Sequence, residues 1–387
     1  MRQPVRKNVA NANGVDQVKY SYTLVVDGNN IMKMASVDHR MNGNGEEYGV
    51  VMSSLRMIGD ILKKKDFNYC YVVYDGEGSG FLRWELYPDY KANRGKQYDL
   101  YTDYMKKYKD YSKMVIEYHK GRKSDNPRQY GEDEDESFER QKYILQSILE
   151  ELCIRQYMFD NVEGDDIISY IVQNRKENEK IVIASSDKDL TQLISENVIV
   201  YNPRTKGFVT KDNSVAMLGI THENVVLEKI LCGDQSDNIK GIKGIGESTL
   251  LKLFPEIKTE KSDLDGVIRR SKEMLEERRQ QKKKPLKALE NIVNSVTDGC
   301  QGKEIYEINR KIIDLSRPLV TEEAESELRE TLYVPIDTSD RSVKNVYGII
   351  SENEMYDLTD ETRFGDILGA YSRIMMMEQK RYKESVS

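Results

Sequence analysis

Nine carboxylates lie at or just beyond the ends of apolar, strand-like runs of this sequence. They are Asp27, Asp75, Glu163, Asp165, Asp166, Asp187, Asp189, Asp234 and Asp237. Carboxylates a few ångströms apart cannot all stay ionised unless a cation neutralises them. Sites with only oxygen ligands favour hard ions such as Mg²⁺ or Mn²⁺. The set therefore predicts a divalent metal centre, and two ions about 3.5 to 4 Å apart would support phosphodiester hydrolysis.

The acidic clusters also have a simpler interpretation. VEGDD at 162–166 and SSDKDL at 185–190 could cap helices, because Asp and Glu favour the first helical turn. GDQSDN at 233–238 supplies a third pair of acids, three residues apart. Three such clusters, together with Asp27 and Asp75, favour a metal site over coincidental capping.

A basic segment, LYPDYKANRGK at 86–96, follows the strand-like run that ends at Asp75. Lys91 and Arg94 are expected to clamp a scissile phosphate while a tyrosine of the segment stacks on a terminal base, and Tyr90 and Lys96 are expected to bind nucleic acid. The alternative is a solvated helix face.

The distribution of charge matters more than its total. The chain has 387 residues and a formal net charge of −7, whereas nucleic-acid-binding domains are often basic. Between residues 83 and 123, however, eleven Lys and Arg stand against six acids. A carboxylate-rich site beside a basic segment is typical of a metal-dependent enzyme that acts on a polyanion.

The glycine-rich run GIKGIG contains Gly241, Gly244 and Gly246. Its backbone amides could approach phosphates closely and grip a duplex without reading its sequence. A helix C-cap followed by a turn explains the same glycines equally well.

Other features limit the class of protein. The four cysteines have no zinc-type spacing and there are three histidines, so a zinc site is not expected. The first twenty residues lack an apolar core, and no run of about eighteen apolar residues occurs. We expect a soluble, reduced, cytoplasmic protein without membrane contact.

The elements that must position these residues alternate between strand and helix. Strands are predicted at 23–27, 70–74, 156–159, 181–185 and 198–201. Helices are predicted at 47–65, 138–153 and 164–178. This order predicts an α/β fold with a mostly parallel central sheet covered on both faces.

The domain organisation follows from where the pattern changes. Residues 1–20 are expected to form a flexible tail, and 21–210 the α/β core, interrupted by a basic, tyrosine-rich excursion at 97–137. Helical signals dominate 211–340, and the tail 341–387 either docks on the body or binds a partner.

Six blocks, read in order, resemble the signature of the flap endonuclease family of 5′ nucleases. The blocks are DGNN (27–30), YDG (74–76), YPDYKANR (87–94), EGDD (163–166), SSDKDLTQL (185–193) and GDQSDNIKGIKGIG (233–246). The resemblance spans residues 23–255. Within the family the chain is most similar to bacteriophage members, including the T4-type ribonuclease H, at 81–96 and 309–318.

The resemblance implies a 5′ to 3′ exonuclease and flap endonuclease that removes RNA primers and flaps during DNA replication. It implies two Mg²⁺ ions, replaceable by Mn²⁺, within a PIN-like core. The first ion would lie among Asp27, Asp75, Glu163, Asp165 and Asp166, and the second among Asp187, Asp189, Asp234 and Asp237. The expected catalytic residues are Asp27, Asp75, Glu163, Asp165, Asp187, Lys91 and Arg94.

The resemblance also implies how the substrate is held. Residues 97–137 would form a helical arch, and 233–254 a helix-hairpin-helix element that binds duplex through Gly241, Gly244 and Gly246, with a possible K⁺ ion. Expected partners are branched or nicked DNA, RNA/DNA with a 5′ end, and a single-stranded-DNA-binding protein or sliding clamp. The location would be the cytoplasm, that of the host if the chain is viral.

Two other functions stay open. A catalytically silent protein could retain the fold to bind branched DNA, although it would have no use for nine converging carboxylates that repel DNA. A small PIN-type ribonuclease has a similar acidic centre, but the basic segment and the glycine run argue against it.

Overall fold

A six-stranded sheet organises the first half of the chain. The computed structural model describes residues 20–94, 134–296 and 304–387. The strands are β1 (Ser21–Asp27), β2 (Tyr69–Val73), β3 (Arg155–Tyr157), β4 (Glu179–Ala184), β5 (Val198–Asn202) and β6 (Gly207–Val209), in the order β3-β2-β1-β4-β5-β6. The first five pair in parallel, and β6 pairs antiparallel with β5. The predicted mostly parallel sheet is confirmed, and β6 is an antiparallel edge strand that the sequence did not predict.

Helices surround the sheet and make up the second half of the chain. They are α1 (Gly28–Ala35), α2 (Gly49–Leu62), α3 (Phe81–Leu86), α4 (Glu134–Glu151), α5 (Gly164–Gln173), α6 (Ser214–Leu218), α7 (Val225–Cys232), α8 (Glu247–Leu253), α9 (Leu264–Gln280), α10 (Lys287–Asn294), α11 (Glu304–Ile313), α12 (Glu322–Thr331), α13 (Val343–Glu352) and α14 (Glu361–Val386). Short 3-10 helices lie at Ala92–Arg94, Asp189–Leu193, His222–Asn224, Pro255–Lys258 and Tyr356–Leu358. The three predicted helices correspond to α2, α4 and α5.

Both faces of the sheet are buried, which explains why its central strands are apolar throughout. Side chains alternate between the two faces of a strand. Leu24 and Val26 of β1 pack with α1, α2, α4 and α14, whereas Val25 packs with α5 and α12. A strand covered on both sides needs apolar residues at every position, and the LVV run meets that need.

The helical half has its own apolar core, formed by α7 to α11 with side chains from α3. A two-stranded hairpin, β7 (Gly233–Asp234) and β8 (Ile239–Lys240), joins α7 to the glycine-rich turn before α8. Leu315, Ala324 and Leu328 pack instead on the sheet. The predicted helical region 211–340 therefore contributes its last part to the α/β core.

The C-terminal tail docks on the body, which was one of the two predicted alternatives. Tyr371 of α14 is fully buried, and its hydroxyl donates to the carbonyl of Leu55 in α2 at 2.8 Å. The Arg381 guanidinium donates to the Asn68 carbonyl at 2.9 Å. Residues 341–387 are thus part of the main fold and not an appended segment.

Some predicted segments fall outside the described residues. The flexible tail 1–20 and the arch 97–137 lie almost wholly there, and of the arch only its last residues, which begin α4, are described. Across the described ranges, none of the helices combines the length and apolar composition that crossing a bilayer would need.

Candidate active site

Three adjacent parallel strands deliver carboxylates to one edge of the sheet. Asp27 is the last residue of β1, while Asp75 follows β2 and Asp187 follows β4 after short connections. Strand β1 lies between β2 and β4, and neighbouring strands are about 4.8 Å apart. The structure therefore brings these three predicted residues to the same edge.

The DGNN loop after β1 fixes Asp27. The Asp27 carboxylate accepts a hydrogen bond from the backbone N–H of Asn30 at 3.0 Å and another from the Ser185 hydroxyl at 2.8 Å. Gly28 is required here, because a Cβ would lie 2.5 Å from the ring of Tyr74. Asp27 is thus both the N-cap of α1 and a member of the acidic group.

Asp75 is held by partners from two other elements. It accepts from the Asn29 side-chain amide at 3.0 Å and from the backbone N–H of Gly164 at 2.7 Å. The Asp75 N–H donates in turn to the Asn29 side-chain oxygen at 3.1 Å. The first turn of α5, which carries Asp165, is therefore tied to the end of β2.

Burial and crowding oppose ionisation of this group. Burial, aided by Asp75 and Asp187, raises the pKa of Asp27 to about 7. Burial, followed by the charges of Asp187 and Asp27, raises the pKa of Asp165 well above its usual range. Burial and the Glu163 carboxylate also raise the pKa of Asp75. Full ionisation near neutral pH requires a compensating cation, and the donors available are oxygens.

A second acidic group, which consists of Asp187, Asp189, Asp234 and Asp237, lies beside the first group, which consists of Asp27, Asp75 and Asp165. Single carboxylate oxygens of Asp189, Asp234 and Asp237 lie within 4.8 Å of one another. Asp187 is exposed, and its carboxylate accepts from the backbone N–H of Asp189 at 2.9 Å. These four predicted residues are together, and the all-oxygen set fits a hard divalent ion.

Lys229 on α7 contacts two members of this second group. Its ammonium lies 2.5 Å from Asp234 Oδ2 and also pairs with Asp189 Oδ1. Burial alone would raise the pKa of Asp234, but hydrogen bonds from Lys229 and Ser236 lower it to about 2. At Asp189, burial raises the pKa by more than the Lys229 ammonium lowers it, and the pKa of Asp189 rises to about 6.

Glu163 is already neutralised by protein cations. Its carboxylate is 2.9 Å from Arg83 Nη1 and 2.5 Å from Lys91 Nζ. Although burial alone would raise it, these two charges lower the pKa of Glu163 to about 2. The Tyr90 hydroxyl also donates to Glu163 at 3.1 Å.

Asp166 does not join the acidic group, contrary to its predicted role as a metal ligand. Its two oxygens accept from Arg83 at 2.5 and 3.2 Å, and the backbone N–H of Leu319 donates at 2.9 Å. The side chain is 1% exposed. Asp166 points from α5 toward α3 and the body, and the structure assigns it to holding Arg83.

Tyr90 cannot stack on a terminal base, which corrects the prediction for that residue. It is 2% exposed. Its hydroxyl is engaged with Glu163, and with Asp237 at 3.3 Å. Lys91 Nζ lies over its ring at 4.8 Å. The buried tyrosine instead holds Glu163, Asp237 and Lys91 in position through these contacts.

The basic segment is fastened to the acidic loop 233–238. The backbone N–H of Lys91 donates to the Asp237 carbonyl at 2.8 Å, and the Asn238 side chain donates to the Asp89 carbonyl at 2.8 Å. Lys91 adopts a left-handed backbone with φ 56°. Arg94 ends the 3-10 helix that follows, and its side chain, like the whole of Lys96, lies outside the described residues.

The three glycines of the glycine-rich run have different surroundings. A Cβ at Gly241 would lie 2.1 Å from the Cys232 backbone, so this glycine is needed for internal packing, and its predicted DNA contact is not supported. Gly244, with φ +82°, and Gly246 are exposed, and a Cβ at either would meet no atom within 4 Å. Only the last two can present open backbone.

Sequence reasoning missed two cations. Arg83 lies among apolar residues of α3, where nothing distinguishes it from a surface arginine. Lys229 precedes Asp234 by five residues in EKILCGD. That spacing spans a helix end and a turn, so it carried no periodic signal that would have paired the two residues.

Comparison with known proteins gives consistent matches. The model of the family described as 5′-3′ exonuclease, N-terminal resolvase-like domain, matches residues 22–229. A 5′-3′ exonuclease of Aquifex aeolicus is 25% identical over 245 residues, covering 63% of this chain and 70% of that protein. A structure of T5 5′-exonuclease with bound zinc superposes with a TM-score of 0.52 at 18% identity, covering 86% of this chain and 100% of the other. Bacteriophage T5 flap endonuclease with DNA and metal ions gives a TM-score of 0.52 at 18% identity, covering 86% and 99%.

Proposed function

The chain belongs to the 5′-3′ exonuclease family, and on that premise we propose that it is a metal-dependent 5′ nuclease. It would hydrolyse phosphodiester bonds near the 5′ ends of nicked DNA, of 5′ flaps and of RNA primers paired to DNA. The structural relative that carries DNA and metal ions supports this proposal, as do the two adjacent acidic groups.

Two divalent ions, Mg²⁺ in the cell with Mn²⁺ as a substitute, fit the acidic groups. Asp27, Asp75 and Asp165 would hold the first ion. Asp189, Asp234 and Asp237, with Asp187 between the groups, would hold the second. Such ions lower the pKa of a bound water and stabilise the leaving oxygen of a phosphodiester. A K⁺ ion at the glycine-rich run stays a prediction.

Lys91 would supply positive charge to the scissile phosphate. Its ammonium pairs with Glu163 in the buried wall of the site, and its side chain is 21% exposed. Its backbone is fixed by Asp237, so the ammonium can turn toward a phosphate without moving the loop. Arg94, one helical turn further along, would add a second positive charge.

Duplex DNA beyond the cleaved bond would lie against Gly244 and Gly246. Their open backbone allows a phosphate to approach closely, which gives a grip that does not depend on base sequence. The sliding clamp or single-stranded-DNA-binding protein, the cytoplasmic location and the bacteriophage origin stay predictions.

The convergence of carboxylates from three neighbouring strand ends on one edge of the sheet is the observation that carries the proposal, and burial raises the pKa of Asp27 there. Carboxyls with strongly raised pKa values are common at functional sites, and here a bound cation would restore their ionisation. The test is cleavage of end-labelled 5′-flap, nicked and single-stranded substrates with Mg²⁺ or EDTA, by the natural chain and by Asp187→Asn. Loss of a ligand is expected to reduce cleavage by about two orders of magnitude or more while binding survives.

The matched control is Asp212→Asn, which changes an exposed carboxylate between β6 and α6 that belongs to neither acidic group. It should cleave like the natural chain. Cleavage in EDTA, or a fully active Asp187→Asn protein, would contradict the metal-dependent mechanism. Tight binding of flap DNA with no cleavage in Mg²⁺ or Mn²⁺ would support the catalytically silent alternative.

A further inference from the structure

Lys229 occupies a place between two carboxylates that a metal ion would otherwise share. Its ammonium is 2.5 Å from Asp234 Oδ2 and pairs with Asp189 Oδ1. Its side chain is 16% exposed, against 24% for Asp189 and 10% for Asp234. This is a largely enclosed contact, not one of the solvent-exposed pairs that contribute little to stability.

The ammonium and a second ion would compete for the carboxylates of Asp189 and Asp234. Asp189, Asp234 and Asp237 have oxygens within 4.8 Å of one another. Ligand oxygens lie about 2.0 to 2.6 Å from Mg²⁺ or Ca²⁺, so an ion bound by these three would be very close to the present position of the Lys229 ammonium. Two cations at that separation repel strongly in a partly buried site.

The first acidic group has no such internal cation. Among the described residues, neither Asp27 nor Asp165 forms an ion pair, and Asp27 accepts only from the Asn30 N–H and the Ser185 hydroxyl. In the second group, the Asp234 carboxylate contacts the Lys229 ammonium and accepts from the Ser236 hydroxyl at 2.6 Å. The two groups therefore differ in how they are neutralised before any ion binds.

We propose that Lys229 is an internal counter-ion of the second metal site, which an incoming divalent ion must displace from Asp189 and Asp234. Lys229 is then a positioning residue: it keeps the two loops together in the metal-free protein and weakens the second ion relative to the first. This inference rests on the proposed function, because it requires that the second acidic group binds a metal.

The test is calorimetric titration of the full chain with Mn²⁺, without DNA. The natural chain is expected to bind a first ion tightly and a second more weakly. Lys229→Met removes the competing charge and should tighten the second ion by about tenfold or more. Lys229→Arg keeps the charge and should stay within about threefold of the natural chain.

Lys188→Met is the matched control. The Lys188 ammonium pairs with Glu228 at 2.9 Å, on the rim of the same cleft, and does not contact Asp189 or Asp234. The loss of this nearby charge should change the second affinity by less than about threefold. Equal tightening by Lys188→Met and Lys229→Met would overturn the inference, since it would reflect general charge and not displacement.

Thermal unfolding provides a second readout. In EDTA, Lys229→Met should melt at a lower temperature than the natural chain, and saturating Mn²⁺ should raise its melting temperature by more. An unchanged or weaker second affinity in folded Lys229→Met would also overturn the inference, because Lys229 would then assist metal binding. If the natural chain binds no Mn²⁺ at all, the proposed function fails instead.

Discussion

In the absence of divalent metal, the free energy of unfolding of this protein should fall as the pH rises. Asp27 has a usual pKa of 3.8 that is raised to about 7 in the fold. Between these two values the folded protein keeps a proton that the unfolded chain has released. Raising the pH through this window therefore favours unfolding, and the penalty is complete above about pH 7.

The size of the effect follows from the shift. A rise from 3.8 to about 7 is roughly three pKa units, and each unit corresponds to about 1.4 kcal/mol. Asp27 alone should then reduce the free energy of unfolding by on the order of 4 kcal/mol. Asp189, with a pKa raised to about 6, contributes in the same direction. A divalent ion at the site should cancel most of this loss.

The assay is urea unfolding in EDTA at pH 5 and pH 8, followed by the fluorescence of Trp84, the one tryptophan of the chain. The pH 8 measurement is then repeated with Mg²⁺. Glu163 and Asp234 have pKa values lowered to about 2, so their stabilising effect is lost only well below pH 5. Burial lowers the pKa of His222, so this group adds stability as the pH rises and partly opposes the effect.

The variant Asp27→Asn isolates the responsible group, because the neutral amide cannot ionise. The difference in its unfolding free energy between pH 5 and pH 8 should be smaller than that of the natural chain by on the order of 3 kcal/mol, which is the part of the Asp27 effect that develops between pH 5 and about pH 7. Equal stability of the natural chain at pH 5 and pH 8 in EDTA, or greater stability at pH 8, would refute the reasoning.

Three substitutions probe the surrounding parts. Arg83→Met leaves Glu163 and Asp166 buried without their shared cation, and urea unfolding should show a loss of about 3 to 5 kcal/mol; a loss below about 1 kcal/mol would mean that the acids protonate or find other partners. Lys91→Ala should lower the single-turnover cleavage rate about 100- to 1000-fold with little change in DNA affinity; a loss of affinity alone would make it a binding residue. Gly244→Val, at φ +82°, should weaken binding of duplex-bearing substrates much more than of single strands, and equal losses would indicate general destabilisation.

The strands were predictable because their signal is local. Runs such as LVVD and IVIASSD combine β-branched residues with an acid at the end, and a parallel sheet places such ends on one edge. The short β6, over Gly207–Val209, has too few residues for a periodic signal. The docking of α14 depends on contacts such as that of Tyr371 with Leu55, 316 residues away in sequence, which no local pattern records.

The errors at Asp166 and Tyr90 share one cause, which is that sequence order does not give side-chain direction. Asp165 and Asp166 are adjacent, yet successive helical residues point about 100° apart, so one faces the acidic group and the other faces Arg83. The basic segment around Lys91 and Arg94 predicts nucleic-acid contact for Tyr90. Its ring is instead buried in the apolar core of the helical half, and its hydroxyl donates to Glu163.

The predicted phosphate contact at Lys91 and the predicted metal site in the loop 233–238 come from separate parts of the sequence. Backbone contacts hold these two parts together. The Lys91 N–H donates to the Asp237 carbonyl, so the residue that would face the phosphate and the loop that would hold the second ion are bonded directly. A left-handed φ of 56° at Lys91 is unusual for a residue other than glycine, asparagine or aspartate. Such strain persists when surrounding bonds fix it, and here they fix the ammonium beside Glu163. The position of the phosphate contact and the geometry of the second acidic group therefore depend on each other.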